Sequence, residues 1–142
     1  MRIYVDTSAL IKRAAAENHS DALIGRLAAA VEAGDELGAS SLAWVEVERA
    51  LRFLRSLGAH GDADLPGEVR AALSGIDEIA VTDQVLRAAR WIGADQLRSL
   101  DALHLATAVL DGTDLMITYD ERLAAAAADA GIAVESPGVR RS

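Results

Sequence analysis

Cysteine is absent from this chain of 142 residues. Disulfides, zinc sites with thiolate ligands and cysteine nucleophiles are therefore excluded. Long apolar runs are absent too. No stretch approaches the roughly 18 uninterrupted apolar residues of a membrane span, and the opening run at 3–5 is too short for a signal peptide. We expect a soluble protein of the cytoplasm with no membrane contact.

Lysine, aromatic residues and net positive charge are all scarce. Lys12 is the only lysine, and 22 acids against 14 bases give a net charge of −8. A protein that holds nucleic acid by bulk electrostatics is basic, so the composition excludes that simple class. The composition does not exclude an enzyme that binds phosphate through metal ions and a few local arginines. With aromatics at 4%, Trp44 and Trp91 fit core or dimer contacts better than platforms for base stacking.

Hydrophobic residues, in contrast, are abundant. They make up 51% of the chain, which argues against disorder, and 142 residues suit one domain with a sizeable core. We therefore predict a single domain over residues 1–142, of which about 136–142 form a flexible tail.

Strand-like and helix-like segments alternate along the chain. Strands are predicted at 2–5, 36–39, 76–81, 115–118 and 132–134, and helices at 7–16, 21–33, about 41–56, 68–73, 83–93, 101–110 and 121–130. Ser20 is predicted to cap the second helix, and Gly58–Gly67 has the composition of a loop. This order implies an α/β fold in which a parallel sheet of about four to five short strands is flanked by helices.

Four acids lie at or near the ends of these segments: Asp6, Glu46, Asp101 and Asp120. The carboxyl ends of parallel strands share one edge of a sheet, so acids from distant parts of the chain can meet there. Two bare carboxylates within ~4 Å repel by roughly 4 kcal/mol at an effective dielectric near 20. A hard divalent cation with oxygen ligands relieves that repulsion, so the acids predict a metal site.

Each of three acids also has a simpler interpretation. Asp6, Asp101 and Asp120 precede helical segments, and an aspartate at that place commonly caps the helix and interacts favourably with its N-terminus. Taken singly, capping is the better interpretation for each of them.

Glu46 has a different simple interpretation, which is a solvated ion pair with Arg49 one turn further on. Against it, Glu46 lies beside the apolar stripe of its helix, with Ala43 before it and Ala50 after it. Two small neighbours leave a hollow around a carboxylate near the core, which favours a metal pocket.

Four sequence motifs carry a family resemblance. They are IYVDTSALI at 3–11, SSLAWVEVERAL at 40–51, LDALHLATA at 100–108 and ITYDERLAAAA at 117–127. In this order and spacing they resemble the four acidic motifs of PIN-domain ribonucleases, in particular the small VapC-type toxins of toxin–antitoxin pairs. The likeness spans almost the full length, and none of the four acids is missing.

The resemblance implies a metal-dependent endoribonuclease that leaves 5′-phosphate and 3′-hydroxyl ends. Asp6 and Asp101 would hold the principal Mg²⁺ or Mn²⁺, and Asp120 would complete the shell or hold a second ion. Glu46 would bind through water or orient the attacking hydroxide. The implied partners are an RNA substrate, a cognate antitoxin that blocks the site and a second copy of the chain in a homodimer.

A few further side chains are candidates for supporting roles. Thr118 lies two residues before Asp120, on the same strand face, where its hydroxyl is placed to bond an acid or phosphate. Thr7 and Ser8 fit the same role, although capping the helix that follows them is the simpler interpretation. Arg122 is placed either to contact RNA or to be an ordinary solvated arginine. His104 is one turn after Asp101 on an apolar helix, which favours a hydrogen-bonded core histidine.

Two other functions remain open on the sequence alone. The first is an aspartate-based phosphoryl-transfer or phosphatase domain, in which Asp6 or Asp120 is a nucleophile. A receiver-like module of this kind needs a lysine near the acid, and Lys12 is the single candidate. The second is a non-catalytic PIN-like module that binds protein. Divalent-metal binding separates that module from the nuclease.

Overall fold

Short runs of apolar residues form one sheet of five parallel strands in the computed structural model, which describes residues 1–140. The strands are β1 (Arg2–Val5), β2 (Glu36–Ser40), β3 (Asp77–Ile79), β4 (Leu115–Ile117) and β5 (Ala133–Glu135). The helices are α1 (Thr7–Ala14), α2 (Ser20–Glu32), α3 (Ser41–Ser56), α4 (Leu65–Leu73), α5 (Asp83–Ala89), α6 (Ser99–Leu110) and α7 (Glu121–Asp129). The predicted α/β fold with four to five parallel strands is confirmed.

The order of the strands creates a reversal in the middle of the sheet. The order is β3-β2-β1-β4-β5, so the chain builds outward from β1 on one side and then from β4 on the other. In open α/β sheets, ligands bind outside the carboxyl ends of the strands at such a reversal. Val5 pairs with Ile117, and therefore the residues that follow β1 and β4 emerge at the same edge.

Helices cover both faces of the sheet, and β1 contributes to both cores. Ile3 and Val5 pack in a core with residues of α1, α2, α3 and α4. Tyr4 packs on the opposite face, in a second core that includes Leu105 of α6 and Leu123 of α7. Successive side chains of a strand point to opposite faces, so Tyr4 is the β1 residue that meets α6.

Several boundaries differ from the prediction. Helix α4 begins at Leu65 instead of Glu68, because Asp64 caps it by accepting a bond from the Gly67 N–H at 2.7 Å and a proline suits the first helical turn. The predicted loop at 58–67 is therefore shorter. Helix α5 ends at Ala89, before the predicted stop near Gly93.

The prediction that Ser20 caps the second helix is wrong. That helix begins at Ser20 itself, and the preceding His19 occupies the cap position with φ at 70° and no side-chain cap bond. The Ser20 hydroxyl instead accepts from the Glu17 N–H at 3.0 Å and donates to the Lys12 carbonyl at 2.8 Å. It therefore fastens the end of α1 to the start of α2.

The two tryptophans and the C-terminal segment have distinct environments. Trp44 packs partly buried against the first core, whereas Trp91 is 82% exposed and so is not a core residue. Ser136 donates to the Thr118 carbonyl at 2.6 Å, and Tyr119 donates to the Pro137 carbonyl at 2.9 Å. Residues 141–142 of the predicted tail lie outside the described residues. Within 1–140, no helix has the length and apolar character needed to cross a membrane.

Candidate active site

Asp6 links the end of β1 to the start of α1, and its side chain is buried. Its Oδ2 accepts hydrogen bonds from the Ser8 N–H at 3.3 Å, the Ser8 hydroxyl at 2.8 Å and the Thr118 hydroxyl at 3.0 Å. No donor from residues 1–140 reaches its Oδ1. Asp6 therefore caps α1, as the simpler interpretation predicts, and still presents one oxygen at the sheet edge.

Asp120 has the same division between its two oxygens. Its Oδ1 caps α7 by accepting from the backbone N–H groups of Arg122 at 2.9 Å and Leu123 at 3.1 Å. Its Oδ2 has no donor among the described residues. The Asp120 N–H donates to the Thr118 hydroxyl at 3.0 Å, and that hydroxyl donates to Asp6. Thr118 therefore hydrogen-bonds an acid, which the sequence predicted, and also connects Asp6 to the backbone of Asp120.

Glu46 projects from α3 with its side chain 28% exposed. Its Oε1 accepts from the Thr7 hydroxyl at 3.1 Å and lies 2.6 Å from Nε2 of His104. Its Oε2 has no donor within residues 1–140. The described residues also contain no ion pair between Glu46 and Arg49, so the solvated pair does not form. Thr7 bonds Glu46 and does not cap α1, because Asp6 already does so.

His104 is a buried, hydrogen-bonded core histidine, as predicted. Its exposed fraction is 2%, and its Nδ1 lies 2.6 Å from the Tyr4 hydroxyl oxygen. That oxygen accepts from the Ser40 N–H at 3.0 Å. Burial acts to lower the pKa of His104, but the hydrogen bond to Glu46 and the nearby carboxylate charges together raise it above its ordinary value.

Asp101 is not an N-cap, so the capping interpretation is wrong for this acid. Helix α6 begins at Ser99 after Arg98, and Asp101 lies in its first turn. Burial raises the pKa of Asp101, and the negative charges of Asp120 and Asp6 raise it further. The charges of His104 and Arg98 lower it in part. The charges of Asp120 and Asp6 are therefore close enough to Asp101 to affect its pKa.

The donor set suits a hard cation. Asp6, Glu46 and Asp120 each hold one oxygen with donors from the chain and keep the other free of them within residues 1–140. Free carboxylate oxygens are the ligands that Mg²⁺ and Mn²⁺ prefer. In the described part of the chain, no three acids or histidines stand as a ready-made metal cage. Mutual repulsion favours such spacing when no cation is present.

The two basic candidates differ in what surrounds them. Lys12 lies against Glu17 at 3.1 Å and the Asn18 carbonyl at 2.9 Å, and its ammonium is 4.7 Å from the centroid of the Tyr119 ring. Among residues 1–140 Lys12 makes no bond to any of the four acids of the site, which disfavours the receiver-like alternative. Arg122 is exposed and lines a groove of about 640 Å³ beside α6 and α7. None of the four acids lines that groove.

Sequence reasoning did not identify Tyr4 and Arg98 as residues near the acids. Tyr4 is two residues before Asp6 on β1, and alternate strand residues share a face, so a hydroxyl there was a usable signal. Arg98 is three residues before Asp101, about one helical turn away, but the predicted start of α6 excluded it from the helix.

Acids gathered at the carboxyl edge of a parallel sheet define an α/β protein with a carboxylate site. The profile of the PIN domain matches residues 3–129, and the chain belongs to the PIN-domain family.

Similar proteins support this assignment. Ribonuclease VapC47 of Mycobacterium tuberculosis is 35% identical over 98% of this chain and 99% of its own length. Ribonuclease VapC46 of the same species is 40% identical over 95% of this chain and 97% of its own length. The crystal structure of VapBC2 from Rickettsia felis bound to a promoter DNA fragment aligns at a TM-score of 0.68. The alignment covers 95% of this chain and 98% of the Rickettsia felis chain, and 12% of the aligned residues are identical. At that identity the likeness concerns the fold alone.

Proposed function

We propose that the chain is a metal-dependent endoribonuclease and the toxin of a toxin–antitoxin pair. One observation carries the metal dependence. Three acids at one sheet edge each have one oxygen fixed by the chain and one that no donor within residues 1–140 reaches. Hydrogen bonds within the chain use one oxygen of each of these acids, which leaves the other available to a cation. The ribonuclease names of VapC47 and VapC46 support RNA as the substrate.

The four acids have different proposed roles in binding the cation. Asp6 and Asp101 hold Mg²⁺ or Mn²⁺, Asp120 completes the shell or holds a second ion, and Glu46 binds through water or orients the attacking water. A bound ion of this kind polarises the phosphoryl oxygen and favours deprotonation of water. In the hydrolysis, the water oxygen bonds to phosphorus and the bond from phosphorus to O3′ breaks, which leaves 5′-phosphate and 3′-hydroxyl ends.

Other side chains of the site hold these acids in place. The Thr118 and Ser8 hydroxyls fix one oxygen of Asp6. The Thr7 hydroxyl fixes one oxygen of Glu46. Arg122 is exposed two residues after Asp120, where its charge offsets part of the repulsion between the acidic edge and an incoming phosphate.

The proposal extends to partners and location. A cognate antitoxin covers the acidic edge and blocks access of RNA; the likeness to VapBC2 of Rickettsia felis supports such a partner. The chain forms a homodimer and acts in the cytoplasm, where RNA is available. The particular RNA is set by the surface around the acids.

The test compares two aspartate-to-asparagine variants. Asp101→Asn removes a proposed ligand, whereas Asp95→Asn is a matched control at an exposed aspartate outside the site. With Mg²⁺ or Mn²⁺, we expect Asp95→Asn to cleave RNA like the parent and Asp101→Asn to be slower by at least about a hundredfold, since several kcal/mol of barrier depend on the ion. Excess EDTA should stop the parent. Full cleavage by folded, contaminant-free Asp101→Asn protein would contradict the assignment.

Two measurements separate the alternatives. A non-catalytic module shows no rise in melting temperature with MnCl₂, whereas a metal bound only to the native state must raise it. A phosphatase releases inorganic phosphate from a phosphomonoester, and a nuclease produces new 5′ ends within the RNA. Sequencing of RNA 5′ ends after a short induction identifies the substrate.

A further inference from the structure

We propose that Tyr4 and His104 form a hydrogen-bond relay that positions Glu46 for metal binding. Both are positioning residues, because they act through Glu46 and touch neither RNA nor cation. The inference rests on the proposed function, in which Glu46 belongs to the metal site, and adds two residues to it. It assigns a role to a buried tyrosine and a buried histidine that the proposed function leaves without one.

The relay runs from the backbone at the end of β2 to the sheet edge. The Ser40 N–H donates to the Tyr4 oxygen at 3.0 Å, that oxygen lies 2.6 Å from Nδ1 of His104, and Nε2 of His104 lies 2.6 Å from Oε1 of Glu46. Each distance is within hydrogen-bonding range. Three elements, β1, α6 and α3, are thereby joined through side chains alone.

The direction of the bonds follows from the acceptor at the other end of the relay. The Glu46 carboxylate can only accept, so Nε2 of His104 carries a hydrogen and donates it to Oε1. In a neutral ring Nδ1 is then the acceptor, and the Tyr4 hydroxyl donates to it while its oxygen accepts from the Ser40 N–H. In this arrangement each hydrogen in the chain has an acceptor. Burial raises the pKa of Tyr4, which keeps its hydroxyl hydrogen in place.

The burial of these groups indicates that more than packing is involved. Tyr4 is 1% exposed and packs in the second core, and His104 is 2% exposed. Burying polar groups is unfavourable unless each is bonded, and phenylalanine and leucine would fill a core without that demand. The polar pair therefore serves the group at its outer end, which is Glu46.

Glu46 benefits from the restraint because its side chain is long and only partly covered. Fixing a flexible glutamate costs side-chain entropy. If the side chain is mobile in the metal-free protein, that cost is incurred when the metal binds, and the metal affinity is lower. His104 of α6 and Thr7 of α1 both hydrogen-bond Oε1 of Glu46. These two bonds fix the orientation of the carboxylate, so Oε2 is already positioned to bind the cation. Groups that orient metal ligands in this way typically change metal affinity by about 10-fold to 100-fold when they are lost.

The first experiment uses the two tyrosines of the chain as a matched pair. Tyr4→Phe removes the relay hydroxyl, and Tyr119→Phe removes a hydroxyl whose one hydrogen bond within residues 1–140 is to the Pro137 carbonyl. Mn²⁺ affinity is measured from the rise in melting temperature with MnCl₂ alone. We expect Tyr4→Phe to bind Mn²⁺ about tenfold or more weakly than the parent, and Tyr119→Phe to match the parent within twofold.

A double-mutant cycle distinguishes positioning from general loosening of the fold. If the relay acts through Glu46, Tyr4→Phe has no further effect on Mn²⁺ affinity in a Glu46→Gln background. A merely structural role predicts the same loss in both backgrounds. His104→Gln keeps an N–H donor for Glu46, so we expect it to retain more Mn²⁺ affinity than His104→Leu. The histidine pair also decides the question if Tyr4→Phe does not fold.

The outcomes separate this inference from the proposed function. If Asp101→Asn loses the Mn²⁺ response while Tyr4→Phe and His104→Leu stay within twofold of the parent, the relay is wrong and the metal site stands. If Asp101→Asn keeps the full response, or the parent shows none, the metal site fails and the relay fails with it. An equal loss from Tyr4→Phe with and without Glu46 also overturns the relay.

Discussion

At the scale of single residues, two acids of the site cap helices in a way that is compatible with the proposed metal binding, although the sequence presents these roles as alternatives. Asp6 and Asp120 cap helices with one oxygen and leave the other without a donor from residues 1–140. A cap needs only one acceptor for the first N–H groups, so capping and metal binding do not compete. The same capping bonds also orient the free oxygen, because they fix the plane of the carboxylate.

Asp101 lacks such a cap bond and is the acid whose replacement best reveals the repulsion. At pH 7 without metal, we expect Asp101→Asn to melt about 2–4 °C higher than the parent, for a gain of about 0.5–1 kcal/mol after solvent screening. The favourable interaction of an acid with the start of α6 offsets part of the gain. With MnCl₂ the order should reverse, because only the parent binds. Calorimetry with and without MnCl₂ checks both signs.

The pH dependence of that difference follows from the raised pKa of Asp101. The folded protein holds the Asp101 proton more tightly than the unfolded chain does. The parent is therefore most stable, with respect to this group, below the unfolded pKa near 3.8, and it loses that stability as pH rises through the folded pKa. The advantage of Asp101→Asn should accordingly shrink toward acid pH. An advantage that grows on acidification would contradict the repulsion.

At the scale of elements, one hydroxyl fastens the ends of β1 and β4. Thr118 is fully buried, donates to Asp6 and accepts from the Asp120 N–H. Thr118→Val removes the hydroxyl at nearly constant volume and leaves that N–H without its acceptor. We expect a loss of about 1–3 kcal/mol in the free energy of unfolding, together with weaker Mn²⁺ binding.

The control for this prediction is the same substitution at another buried threonine. The Thr107 hydroxyl donates to the Leu103 carbonyl of its own helix at 2.7 Å, so Thr107→Val leaves no orphaned donor. Its cost in urea denaturation should be below about 1 kcal/mol, with unchanged Mn²⁺ affinity. Equal costs at both positions would show that the Thr118 hydroxyl has no special part in joining the strands.

The elements were largely predictable from the sequence, whereas the contacts between them were not. Apolar runs and their alternation predict five strands, and a parallel arrangement brings Asp6 and Asp120 to one edge. Spacing along one helix cannot reveal that His104 of α6 meets Glu46 of α3. That contact depends on how two helices and β1 pack in three dimensions. Likewise, α6 begins at Ser99, earlier than predicted, so Asp101 lies in the first turn of the helix and not at its N-cap.

At the scale of the whole molecule, several large apolar side chains on and after α5 are exposed. Leu86 is 48% exposed, Trp91 82% and Leu100 50%. We expect a homodimer that uses this surface, so Trp91→Arg should give a monomer by light scattering at tens of micromolar, roughly the range where weak association is visible. Phe53→Arg, at an exposed aromatic on α3, is the matched control and should stay dimeric. A parent that is monomeric at this concentration would remove the dimer.

The net charge of −8 bears on the antitoxin. An acidic surface attracts a basic segment and speeds its approach, and salt weakens that long-range attraction. We expect the product of the neighbouring gene to carry such a segment, to bind the chain and to relieve growth arrest when both are induced. Its association rate should fall as NaCl rises from about 50 to 500 mM, as the Debye length shrinks.

The dissociation rate should change far less, because close contacts at the acids are shielded from salt. An arginine of the segment that reaches the free oxygens of Asp6 and Asp120 would compete with Mn²⁺, so added MnCl₂ should weaken the complex. Surface plasmon resonance with the parent and Asp101→Asn measures both rates. If the neighbouring product neither binds nor relieves growth arrest, the toxin assignment fails while the nuclease assignment survives, because the proposed cleavage does not involve the antitoxin.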